Sequence, residues 1–274
     1  KRDWSSDVCS SDLLLAQVAP EIAALIGPGC CLVEYGAGSS KKMRLVLDAL
    51  EKPAAFVAVD ISREHLLQGA AALASDHPDL KVHVVCADYS RPFRLPFIRG
   101  ARVGKRVAFF PGSSLGNFHP DEAHDFLATA AGVVSPGGGM LIGIDLKKDA
   151  AVLETAYNDA AGITAAFNLN LLERINRELG GDFDVSAFEH RAFYDADLGR
   201  IEMHLVSRGD QTATVGGRVL RFAEGETIHT ENSYKYSLDD FRELARSAGF
   251  VPVKAWTDPD RLFSIHYLET ARRA

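Results

Sequence analysis

Cysteine pairing is the plainest thing this sequence lacks. Its four cysteines, Cys9, Cys30, Cys31 and Cys86, include no CxxC spacing, so neither a disulfide framework nor a thiolate metal cage is expected. Cys30 and Cys31 open an apolar run and, as neighbours on a strand, point to opposite faces as reduced structural thiols. The nine histidines are scattered without an HExxH pattern, and no metal is expected. No apolar run approaches the ~20 residues of a membrane-spanning helix. Basic blocks and arginine stripes are also missing. With 30 Lys and Arg against 37 Asp and Glu the net charge is −7, which argues against a nucleic-acid partner. At 274 residues and 47% hydrophobic composition, the chain can bury one large core or a core with a satellite.

An initiator Met is absent as well. The run Lys1 to Asp12, with Ser5-Ser6-Asp7-Val8-Cys9-Ser10-Ser11-Asp12, has little periodicity and resembles a translated sequencing-library adapter. It is expected to be a non-native leader that replaces a natural amino-terminal segment.

What is present is an alternation of short apolar runs and helical spacings. A helix is predicted over Leu13–Ile26, a buried strand from Cys30, a helix over 40–50, a strand over 55–59 ending at Asp60, a helix over 63–75 and a strand over 82–87 ending at Asp88. Strand 106–110, helix 121–134 behind Pro120, and strand 140–144 continue the series. This is the pattern of an α/β protein with a doubly wound, Rossmann-like parallel sheet. The pattern then changes. Residues 150–179 read as helix with a possible interruption at Gly162, and 188–230 alternate like hairpin strands, with a turn at Gly216-Gly217. Helix 238–247 and strands 251–256 and 263–268 return to the sheet. The expected division is therefore a leader 1–12, a core 13–148, an inserted α+β substrate-binding region 149–236, and a return to the core over 237–274.

The first crevice motif is Glu34-Tyr35-Gly36-Ala37-Gly38-Ser39-Ser40, at a strand-to-helix turn on the carboxyl edge of the sheet, where doubly wound folds bind ligands. Lys41 stands where a dinucleotide fingerprint requires a third glycine, which disfavours a nicotinamide cofactor. The shorter E-x-G-x-G pattern is the one shown by class I methyltransferases, which bind S-adenosyl-L-methionine. Asp60 ends the second strand at about the spacing of an acid that accepts from ribose hydroxyls. Asp88 ends the third, with Tyr89 beside it. Each acid alone could be a helix or turn cap. Lys42 opposes the dipole of its helix and is a candidate for the methionyl carboxylate, or else a surface lysine.

Three further segments carry a closer likeness: Phe110-Pro111-Gly112-Ser113-Ser114-Leu115-Gly116-Asn117-Phe118, the stretch Tyr157 to Asn168, and Ile228-His229-Thr230-Glu231-Asn232-Ser233-Tyr234-Lys235-Tyr236. With the glycine motif they resemble the histidine-specific Nα-methyltransferases of ergothioneine biosynthesis, from about Leu13 to the C-terminus. The resemblance implies that Asn117 and Tyr157 hold the carboxylate end of the amino acid, that Glu231 and Ser233 hold the imidazole, and that Met203 lines the pocket. It places the cofactor on Gly36, Gly38, Lys42, Asp60, Asp88 and Tyr89. It also implies a tyrosine-bearing substrate segment before Leu13, which the leader-like run replaces. The chemistry agrees, because an amide and a phenol can hold a carboxylate without competing for the amine, and an imidazole N–H needs an acceptor such as Glu231. The expected product is the trimethyl betaine hercynine, formed in the cytoplasm by a monomer acting on free L-histidine. A methyltransferase of another small amine, or a chain that binds the cofactor without turnover, are the competing readings.

Overall fold

The computed structural model describes residues 5–37, 41–100 and 102–272. The chain forms two compact units, one of Val8–Leu146 with Tyr236–Ala274 and one built on Lys147–Lys235.

The first unit opens with helix α1 (Ser5–Ile26), which begins earlier than the Leu13 start that periodicity suggests and takes in part of the leader-like run. Strand β1 (Cys31–Tyr35) is buried at every residue, as befits a central parallel strand covered on both faces. Cys30 lies in one apolar layer and Cys31 in the other. Helix α2 (Lys41–Leu47), strand β2 (Ala55–Asp60), helix α3 (Arg63–Asp76), strand β3 (Lys81–Cys86) and strand β4 (Arg106–Phe110) follow. Helix α4 (Pro120–Val134) has proline in its first turn, and His119 N donates to Glu122 Oε2 at 2.9 Å, so one orphan donor of the helix start is satisfied. It buries Ala123, Phe126, Leu127 and Ala130 and leads to β5 (Gly139–Asp145).

The second unit holds α5 (Ala150–Tyr157) and α6 (Ile163–Leu179), where sequence periodicity suggested a single interrupted helix. Two side chains make the break. Asn158 Nδ2 donates back to Glu154 O at 2.9 Å, and Asp159 accepts from Ile163 N at 2.9 Å and Thr164 N at 2.8 Å, so α5 is closed and α6 capped within five residues. Gly162, with φ of 69°, joins them. Strands β6 (Phe188–Asp195), β7 (Arg200–Ser207), β8 (Gln211–Val215), β9 (Arg218–Phe222) and β10 (Thr227–Tyr234) form a three-stranded sheet in the order β10-β7-β6 and a separate β8-β9 hairpin. The core beneath them is Leu172, Phe183, Phe188, Leu205 and Ala213.

Helix α7 (Leu238–Ser247) returns the chain to the first unit. Ser237 Oγ accepts from Asp240 N at 3.0 Å while Asp240 Oδ2 accepts from Ser237 N at 3.1 Å, a reciprocal cap. Strands β11 (Phe250–Thr257) and β12 (Phe263–Thr270) complete a seven-stranded sheet in the order β11-β12-β5-β4-β1-β2-β3. β1 to β5 are mutually parallel, and β12 runs antiparallel to both β5 and β11. Strand order reverses at β1, so the crevice outside its carboxyl end is the topological switch point.

Candidate functional site

At that crevice Gly36 has φ of 72°, a conformation that costs glycine little, and a Cβ there would lie 3.7 Å from Tyr89 Oη. Gly36 N donates to Val59 O at 2.9 Å, tying the turn to the end of β2. Asp60 closes β2, and its Oδ1 accepts from Ser62 N at 2.7 Å. Asp88 follows β3, with Oδ1 accepting from Ser90 Oγ at 2.6 Å and Ser90 N at 3.0 Å; these bonds, the hydroxyl first, hold its carboxyl below the usual range. The Tyr89 ring meets Tyr35, Phe110 and Phe126 edge-on. Burial, then Asp60 and Asp88, raise its phenol pKa. Gly36, Asp60, Asp88 and Tyr89 are thus gathered along three adjacent strand ends.

Glu34, part of the glycine motif but given no role from sequence, is 4% exposed on β1, and burial followed by the nearby Asp60 pushes its pKa up to about 8. Lys42 has a protein partner, Asp12 Oδ1 at 3.8 Å, an acid of the leader-like run. Burial lowers the Lys42 pKa and Asp12 opposes that shift. Asn117 ends the 3-10 turn Ser114–Asn117 and is exposed. Gly38 lies outside the described residues.

These residues suit S-adenosylmethionine. A side chain at Gly36 would fill the space against the Tyr89 hydroxyl. The acids at successive strand ends offer acceptors to ribose hydroxyls and an adenine amine, in a field that favours a cationic sulfonium.

In the second unit, β10 and β7 pair with a bulge between His229 and Glu231, which sets Glu231 opposite Met203 and Ser233 opposite Ile201. Opposed residues share a face. Met203 and Ile201 pack there with Leu153 and Ala192, and Tyr157 lies against them. The end of α5 is fastened over this face by Asn158, which donates to Ala192 O at 2.9 Å and accepts from Ala192 N at 3.0 Å, and by Glu154 Oε1, which accepts from Tyr194 N at 3.0 Å. His190 Nε2 donates to Tyr157 O at 2.8 Å while its Nδ1 accepts from Asn168 Nδ2 at 3.0 Å, so the ring ties α5 and α6 to β6. Tyr157 Oη donates to Ser233 Oγ at 2.9 Å. Burial raises the Glu231 pKa, and Lys235 opposes that rise. Tyr157, Met203, Glu231 and Ser233, scattered over the sequence, therefore meet on one sheet face.

Lys235 is the residue that sequence reasoning passed over. It is 2% exposed, and its Nζ donates to Tyr157 Oη at 3.0 Å and Ser233 Oγ at 2.8 Å. The only signal available in sequence was its place two residues beyond Ser233.

The opposite face of β7 carries a group of metal-type side chains, Glu202, His204 and His229, which spacing along the chain does not reveal. The His204 and His229 rings stack with centroids 4.6 Å apart and planes 11° apart, so their in-plane lone pairs run side by side instead of converging. Arg200 bonds Glu202 Oε1, and His204 Nε2 lies 2.8 Å from Oε2. Burial pushes the Glu202 pKa up, but the Arg200 and His204 bonds outweigh it and the net shift is downward. The group is a hydrogen-bonded stack.

A family profile described as histidine-specific methyltransferase, SAM-dependent, matches residues 12–270. The chain belongs to this family. Among the relatives of this methyltransferase, Histidine N-alpha-methyltransferase of Mycolicibacterium smegmatis is 39% identical over 252 residues, covering 90% of this chain and 77% of the relative. Ergothioneine biosynthesis protein 1 of Neurospora crassa is 31% identical over 94% of this chain, which spans 30% of that protein. A solved S-adenosylmethionine-dependent methyltransferase from Clostridium acetobutylicum superposes with a TM-score of 0.53 at 11% identity, covering 94% of this chain and 92% of its own. The fold is that of class I S-adenosylmethionine-dependent methyltransferases.

Proposed function

We propose that this methyltransferase acts on the α-amino nitrogen of free L-histidine and adds three methyl groups to give hercynine, the entry to ergothioneine. The observation that carries this reading is the meeting of Tyr157, Met203, Glu231 and Ser233 on one face of the inserted sheet. It combines a partly buried carboxylate able to accept from an imidazole N–H with two hydroxyls able to serve the remaining ring nitrogen and a carboxylate. An amino acid without a ring N–H would leave Glu231 unpaired, and that penalty is the source of selectivity.

S-adenosylmethionine supplies an electrophilic methyl carbon on a sulfonium. Gly36, Gly38, Asp60, Asp88 and Tyr89 are assigned to hold it, and Lys42 to its methionyl carboxylate. Asn117 and Tyr157 are assigned to the substrate carboxylate, Glu231 and Ser233 to the imidazole, and Met203 to the pocket wall. These residues act mainly by positioning, since an amine lone pair held in line with the methyl carbon needs no covalent help from the protein. Each round releases one proton from the amine.

The reading is tested by incubating the protein with S-adenosylmethionine and an equimolar mixture of amino acids and following products by mass spectrometry. Mono-, di- and trimethylated histidine are expected in succession, with no other amino acid consumed. Preferential methylation of a different amine would refute it.

A further inference from the structure

The residues assigned to the substrate carboxylate, Asn117 and Tyr157, are both neutral, and Glu231 on the same face as Tyr157 is an acid. An amine must be uncharged to attack a methyl group, so a reacting histidine carries the full negative charge of its carboxylate. Glu231 and that carboxylate would put two anions into one partly buried pocket, which is costly without a counter-charge. Lys235 is placed to supply it. Its ammonium is buried, its Nζ lies 4.9 Å from the Tyr157 ring centroid, and it donates to both Tyr157 Oη and Ser233 Oγ.

Resting on the histidine reading above, we infer that Lys235 is a positioning residue that recognises the substrate carboxylate through the Tyr157 hydroxyl. Tyr157 Oη accepts from the ammonium and so keeps its own hydrogen for an acceptor. In the structure that acceptor is Ser233 Oγ at 2.9 Å. Rotation about the C–O bond turns the same hydrogen toward a carboxylate with no movement of heavy atoms. The ammonium strengthens the donation by polarising the O–H bond, and its bond to Ser233 keeps it anchored while Tyr157 changes partner. Selection between an amino acid and the corresponding amine thus depends on a charge that need not touch the ligand.

The test compares L-histidine with histamine, which has the same ring and amine but no carboxylate. Steady-state methylation of both by the unmutated chain, K235M, K235Q and K235R is measured, with calorimetric binding of S-adenosylhomocysteine and thermal melting as checks of folding. For K235M the KM for histidine should rise about tenfold or more, the scale of one charge-assisted hydrogen bond, with kcat changed much less. The preference for histidine over histamine should collapse by a similar factor. K235Q keeps N–H donors without the charge and should also lose the preference, so it decides the matter if K235M does not fold. K235R should restore part of it. A folded K235M or K235Q that keeps the unmutated preference overturns the inference while leaving the histidine reading intact. Failure of the unmutated chain to methylate histidine overturns both.

Discussion

At the scale of single residues, Glu34 has the most informative titration. Its pKa is raised from the ordinary 4.5 to about 8, first by burial and then by Asp60. Between those values the unfolded chain has released its proton and the folded chain still holds it, so folding stability falls as pH rises through the window and levels off above it. Glu34→Gln is neutral in both states and lacks this slope. Urea unfolding without cofactor should therefore show the variant gaining on the unmutated chain by up to roughly 1 kcal/mol per pH unit between about pH 5 and about pH 8. Parallel curves would mean that Glu34 is already ionised in the fold. Sequence gave a warrant for the Glu34 position, since a strand feeding a glycine turn places its last residues at the crevice. It gave none for Lys235, because a lysine in a polar stretch has every reason to be solvated. Its hydrogen-bond partner Tyr157 stands 78 positions earlier, and that proximity exists only after α5 folds over the three-stranded sheet. For Lys42 the protein partner was not legible, since Asp12 comes from a run that local pattern left outside the fold.

Among the elements, the start of α6 at the α5-α6 junction is capped by the Asp159 carboxylate. Hydrogen bonds from Thr164, side chain first and then backbone, with Ile163 N adding to them, pull the Asp159 pKa from its ordinary 3.8 to about 2. A depressed pKa stabilises the fold above the unfolded value, and that contribution is lost as pH falls through the folded one. Asp159→Ala should cost about 1 kcal/mol at neutral pH, the usual worth of an N-terminal cap. The difference from the unmutated chain should fade between about pH 4 and about pH 2. Equal unfolding midpoints at neutral pH would count against the capping role. Strands β1, β2 and β4 of the first unit were legible because buried parallel strands read as apolar runs and each is followed by a helical spacing. The α5-α6 break was less so. Gly162 marked it, but the three side-chain bonds of Asn158 and Asp159 fix where each helix stops and starts, and apolar periodicity carries no record of them. Strand β10 continues to Tyr234, past the 230 boundary of the alternating pattern, because the bulge after His229 shifts its alternation by one residue. That shift brings Glu231 and Ser233 onto the face of Met203 and leaves His229 with Glu202 and His204 on the other.

For the whole molecule, the chain leaves and re-enters the first unit at one point. Leu146 forms a parallel bridge with Tyr236, and Tyr236 N donates to Asp145 O at 3.2 Å. The apolar clusters of the first unit are composed of its own residues on the two faces of the seven-stranded sheet, and all seven strands come from outside Lys147–Lys235. Removing Lys147–Lys235 and joining Leu146 to Tyr236 through a flexible link of about four residues would therefore break no strand pairing in that sheet and demand little loop closure. The shortened protein should unfold cooperatively. It should bind S-adenosylhomocysteine within about tenfold of the full chain, since Gly36, Asp60, Asp88 and Tyr89 all remain, and it should methylate no histidine, having lost Tyr157, Met203, Glu231 and Ser233. Calorimetric titration with circular-dichroism melting separates the outcomes. A cooperative melt with cofactor binding and no transfer would place cofactor recognition in the first unit and substrate recognition in the second, whereas a shortened chain that neither melts cooperatively nor binds would show that the sheet depends on the inserted unit to fold.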